Sequence, residues 1–168
     1  MTDTAHRVAD GSRSLYEHDF FAWTVEQAAA LRRGAQAGAD PALDWEALAE
    51  EVESMGRSQR RALDSALLRI IEHLLKLEYS PAREPRRGWR DTVRAQRLDA
   101  RDELADSPSL VPRIDLEAVY GKARPLTART LAENDGIDPS VVPATCPYSL
   151  DQVLDDEWWP ANRCGLTP

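Results

Sequence analysis

"RRALDSALLRIIEHLLKLEY", residues 60–79, is the stretch whose reading decides the fold. Leu63, Leu67, Ile70, Leu74 and Leu77 recur at spacings of three and four, the period of one helical face. Leu68, Ile71 and Leu75 widen that stripe beyond what a single neighbour could cover. The spacing therefore predicts a central hydrophobic helix over about 57–79, ended by Pro81 and Pro85, which cannot continue it.

Working outward, the pattern stays helical on both sides. Residues 14–33 read as a first helix, with Ser14 and Glu17 spaced as a capping box and Gly34 and Gly38 as its stop. Asp44 suits the cap of a second helix, whose Trp45, Leu48, Val52 and Met55 are amphipathic; Gly56 is expected to bend or divide it from the central one. A helix over about 87–105 follows, then a stretch from 108 to 134 interrupted by Pro112 and Pro125. A short closing helix starts at Ser149, where Gln152 completes a capping box. No segment has strand periodicity with paired turn signals. The expected fold is all-α, an irregular bundle of five or six helices around the 57–79 element. Residues 1–12 read as a disordered N-terminal tail, 13–160 as a single helical domain and 161–168 as a C-terminal tail.

The 168-residue chain carries 21 basic and 29 acidic side chains, a formal charge of −8. A net-negative protein repels phosphate at long range, so nucleic-acid binding would need a strongly segregated basic face. Arginines gather most densely at "EPRRGWRDTVRAQRLDAR", residues 84–101. From residue 83 to 101 seven arginines face only Glu84, Asp91 and Asp99. On a helical wheel, Trp89, Val93, Gln96, Ala100 and Leu104 form the expected buried seam. Arg87, Arg90, Arg94, Arg97 and Arg101 border it. Residues 40–55 hold Asp40, Asp44, Glu46, Glu50, Glu51 and Glu53 and no basic residue. The expectation is that the arginine row pairs with Glu46, Glu50 and Glu53 within one molecule, because guanidinium forks match carboxylates.

Several stretches in this order carry a family resemblance: "LYEHDFFAWTVEQAAALRRG", "DWEALAEEVESMGRSQRRAL", "HLLKLEYSP", "GWRDTVRAQRLD", "DSPSL" and "CPYSLDQVLDDEWWP". Over about residues 15–160 the chain resembles the bacterial family catalogued as domain of unknown function number twenty-nine. The resemblance implies a small helical fold and an intracellular bacterial origin. It brings no established activity or catalytic residue. Pro125 departs from the family's helical pattern.

Candidates for chemistry cluster around residues 50–58 and 72–76: Glu50, Glu53, Arg57, His73 and Lys76, with Arg97 beyond. An imidazole beside a carboxylate could serve acid–base catalysis, which makes Glu50, Glu53 and His73 the catalytic candidates. The Glu-x-x-His signature of di-iron bundles is absent, since Ile70 stands three before His73. Cys146 and Cys164 are too few for a structural zinc site and are read as reduced thiols. No metal or cofactor is expected. Arg57, Lys76, Trp89, Arg90, Arg94, Arg97 and Arg101 are the binding candidates. Trp158 and Trp159 are interface candidates, because adjacent helix positions point about 100° apart and one face cannot bury both.

"MTDTAHRVADGSRS" has no apolar run of a secretory signal, and nothing approaches a membrane-spanning length, so a cytoplasmic location is expected. The leading expectation is a helical protein-interaction module without catalysis, whose partner is another protein or a second copy of itself. The alternatives are a nucleic-acid-binding or -processing protein using the Arg87–Arg101 stripe, and an enzyme built on Glu50, Glu53 and His73.

Overall fold

The apolar stripe of residues 63–77 does form a helix, and in the computed structural model that helix is longer than its stripe. Residues 14–38, 40 and 42–166 are described. Their helices are α1 (14–18), α2 (Phe20–Gln36), α3 (Trp45–Tyr79), α4 (Arg86–Asp106), α5 (Leu116–Asp135) and α6 (Leu150–Leu154). Two 3-10 turns, Pro108–Arg113 and Pro139–Val141, complete the regular structure, and no strand occurs among the described residues. The fold is all-α. The reading of residues 1–12 as a disordered tail lies outside the described residues.

The chain divides into two compact units, one within Met1–Ala62 and Asp102–Arg113, the other within Leu63–Arg101 and Ile114–Pro168. In the first, Asp19 breaks the helix that the sequence predicts over 14–33. Its carboxylate accepts from Ala22 N at 2.9 Å as the cap of α2, and from Ser109 N and Ser109 Oγ at 2.8 Å each. That double engagement, local and distant, fixes the helix start at residue 20 rather than 14. Ser107 adds a second tie: its Oγ accepts from Phe21 N at 2.9 Å and donates to Gln59 Oε1 at 2.8 Å.

Gly56 does not divide α3, which is continuous from Trp45 to Tyr79. Its value lies in having no side chain. A Cβ there would collide with Thr24 Oγ1 and meet Thr24 Cβ at 3.3 Å and the Phe21 ring at 3.4 Å. Thr24 and Ala28 are buried on the facing side of α2, so the two helix backbones approach through small residues.

In the second unit, Leu63, Leu67, Ile70, Ile71, Leu74, Leu75 and Leu77 of α3 are buried, as the stripe predicts. They share the core with Val93, Val119, Tyr120, Leu131, Val142 and Val153. Helix α5 is capped by Asp115, which accepts from Ala118 N, and passes through Pro125 without ending. It stops at Gly136, whose left-handed φ of 67° lets its amide and that of Ile137 reach back to the carbonyls of Ala132 and Leu131. Helix α6 has the predicted capping box, with Ser149 and Gln152 bonded reciprocally.

Replacing Gly56 by alanine should lower stability by about 1–3 kcal/mol, the usual cost of overpacking. Adding Thr24→Ala should recover part of the loss, as read by urea unfolding of the three variants against the parent.

Candidate basic groove

The row of arginines on α4 does not meet the acidic row of α3, and this corrects the sequence expectation. Glu46, Glu50 and Glu53 are taken by arginines on α2 and α3. Arg32 binds Glu46 at 2.9 Å, binds Glu53 through both nitrogens of its fork and stands 3.8 Å from Glu50. Arg57 reaches Glu50 at 2.7 Å and Glu53 at 3.5 Å. These hydrogen bonds hold the Glu53 carboxyl below its ordinary range and push the Arg32 guanidinium up, the Arg32–Glu53 contact being the largest cause in each case. The sequence signal for Arg32 was its place in α2, near the end of an otherwise small and apolar run.

Helix α4 buries a different seam from the one predicted. Its buried residues are Arg86, Val93, Arg97 and Ala100. The seam is centred about 50° from Trp89, towards the arginine row. Trp89 itself is only half-buried. Arg97 thus lies inside the core at 0% exposure. Three backbone carbonyls receive it: Nε donates to Val153 O at 2.9 Å, and Nη2 to Gln152 O at 3.2 Å and Trp158 O at 3.0 Å. Two of these belong to the last turn of α6, where carbonyls lack helical partners and the dipole favours a cation. Burial pushes the guanidinium down from its ordinary value, while Asp156 and Asp155 act in the opposite direction. It stays charged, as arginine does throughout the accessible range.

Three guanidiniums converge on one indole. Arg97 Cζ lies 4.8 Å from the centroid of Trp159, Arg90 Cζ 5.0 Å and Arg94 Cζ 5.6 Å. The π face offsets part of their mutual repulsion. Beside them Arg101 pairs with Asp156, and Arg94 with Asp91 at 3.4 Å. The result is an open groove of about 510 Å³ lined by Arg90, Arg94, Leu98, Arg101, Asp156, Glu157 and Trp159. Leu98, at 54% exposure, gives the groove an apolar wall. Of the two tryptophans, Trp159 lines this groove. Trp158 packs edge-on against Tyr148, with ring centroids 5.6 Å apart.

The closing segment is held a second time. Buried Glu78 accepts from Tyr148 Oη at 2.6 Å and from Arg163 at 3.0 Å. Within the stretch read as a tail, buried Asn162 donates to the carbonyls of Leu77, Glu78 and Ser80. These carbonyls end α3, so Asn162 completes bonds the helix leaves open. Burial first, and then the neighbouring Glu78 carboxylate, push the Tyr148 phenol well above its usual value.

The catalytic candidates are not assembled. Glu50 and Glu53 are engaged by Arg57 and Arg32, and His73 comes about five and a half turns beyond Glu53 and about six and a half beyond Glu50 along the same helix. The His73 ring meets its own helix at Arg69 O, 2.8 Å from Nδ1. Burial pushes its pKa down, and the nearby Lys76 ammonium adds to this. Among the described residues no group of histidine, cysteine, aspartate and glutamate is placed to hold a metal ion. No described helix is long and apolar enough to cross a membrane.

Residues 15–159 match the family described as Domain of unknown function DUF29. The chain belongs to this family. A crystal structure of an alpha-helical protein of unknown function from Rhodospirillum rubrum is similar to this DUF29 chain, with a TM-score of 0.75 and 28% identity. The similarity covers 85% of this chain and 90% of that one. No curated protein matches the DUF29 chain.

Replacing Arg97 by methionine keeps the stem and strands the carbonyls, which should cost about 2–5 kcal/mol in chemical unfolding. Arg97→Lys should also be destabilising, because an ammonium lacks the planar fork that spans separate carbonyls. Arg101→Ala, at an exposed pair, should stay within about 1 kcal/mol of the parent.

A pH dependence follows from Tyr148. Its folded pKa lies above the unfolded value of about 10, so its contribution is complete below pH ~10 and declines as pH rises beyond it. Tyr120, pushed up to about 12 mainly by burial, acts in the same direction. Tyr148→Phe should therefore be less stable at pH 7 yet lose less on going from pH 8 to 11, as measured by urea midpoints.

Proposed function

We propose that this DUF29 chain is a protein-interaction module that works without catalysis and holds an acidic, partly apolar segment of a partner in the α4 groove. One observation carries the reading: Arg90 and Arg94 stand over the Trp159 ring beside exposed Leu98, so cationic and apolar surface are offered together. That mixture suits an amphipathic peptide, whose apolar anchors fill the groove while its carboxylates meet the guanidinium forks. The groups an acid–base site would need are already committed, Glu50 and Glu53 to arginines and His73 to its own helix.

Nucleic-acid binding by the Arg87–Arg101 stripe is the less favoured reading. Phosphate recognition gains from uninterrupted positive charge. Asp156 and Glu157 interrupt that charge, and a phosphate backbone has no apolar side chains to set against exposed Leu98 as an amphipathic peptide has.

A fluorescein-labelled helical peptide of glutamate and leucine should bind at about 50 mM salt by anisotropy, and Arg90→Glu/Arg94→Glu should weaken it at least about tenfold. The lysine-for-glutamate peptide should not bind. Equal binding of both peptides, or tighter binding of a single-stranded DNA oligonucleotide of similar length, would count against the reading.

A further inference from the structure

We infer that the groove's occupant is a second copy of this chain, seated through the exposed face of the N-terminal half of α3. The inference rests on the groove reading above and adds the identity of the segment. Asp44, immediately before α3, and Leu48, Glu51 and Met55 on it recur at four, three and four, and all are exposed. Leu48 and Met55 expose 42% and 47% of their surface. A convex helical ridge with two apolar anchors at i and i+7 is the shape that a helix-binding groove receives. Its charge is also of the right sign. Glu46, Glu50 and Glu53 on the adjoining face are already paired with Arg32 and Arg57. Glu51 makes no ion pair among the described residues.

The groove supplies the complement. Leu98 and Trp159 offer apolar surface to Leu48 and Met55 of the other copy, and Arg90 and Arg94 offer cations to Glu51 and Asp44. The contact joins unlike surfaces, ridge to groove, so each copy carries both halves of it: one ridge to give and one groove to fill. Because attraction depends on exposed charge, it weakens with salt.

Sedimentation velocity of the full chain at about 50 mM salt tests this. The average mass should rise above that of one chain between about 1 and about 300 μM, and fall back at about 500 mM salt. Two variants, R90E/R94E in the groove and L48S/E51K/M55S on the ridge, should each stay monomeric across that range. Their equimolar mixture should associate again, since each retains the half that the other lacks. Far-UV circular dichroism checks the fold, and Leu98→Glu replaces the arginine variant if that one unfolds. A parent that is monomeric throughout, variants that associate as the parent does, or a mixture that stays monomeric would each overturn the inference. If the parent is monomeric but the glutamate–leucine peptide still binds, only self-association fails; if neither occurs, the groove reading fails with it.

Discussion

A buried cation held by backbone carbonyls organises the second unit. Arg97 enters the core without a carboxylate bonded to it and is received by the carbonyls of Gln152, Val153 and Trp158. An unpaired charge in an apolar interior is prohibitive unless dipoles replace its hydration. The end of α6 and the turn after it provide those dipoles at fixed positions. The same contact brings Trp159 against α4, so the wall of the surface groove follows from a bond in the interior. Stability and the candidate binding surface therefore share one residue.

How far the sequence discloses this follows from what periodicity can encode. The stripe Leu63–Leu77 and the capping box at Ser149 are local patterns, and both appear where the spacing puts them. Gly56 was misleading because a glycine in a helix signals either a break or a close approach, and only the presence of Thr24 opposite distinguishes the two. Asp19 sits in a segment whose period runs on regardless, and its role as a cap depends partly on Ser109, 90 residues away. Long-range hydrogen bonds leave no mark in a window of one helix.

The arginine row is the instructive case. Charge complementarity with Glu46, Glu50 and Glu53 was sound chemistry attached to the wrong partner. Carboxylates accept any guanidinium that reaches them, and Arg32 and Arg57 are the ones the fold supplies. Composition along α4 gave the polarity of the surface, but it could not reveal that one arginine of the row would rotate inward to bind main chain. Backbone carbonyls are present at every residue and so have no sequence signature. Trp158 and Trp159 follow α6 instead of lying on it, so helical spacing does not set their directions; both are half-buried, and Trp159 lines the open groove.

The anchoring at Asn162 and Arg163 bears on where the working edge of this domain lies. The family match stops at residue 159, whereas the carbonyls at the end of α3 find their donor three residues later. A polypeptide trimmed to the matched limits would lose the Asn162 bonds to Glu78 O and Ser80 O, leave Leu77 O to Arg86 alone, and leave the Glu78 carboxylate without Arg163. The boundary drawn by sequence similarity and the boundary drawn by hydrogen-bond closure are thus different places on the chain.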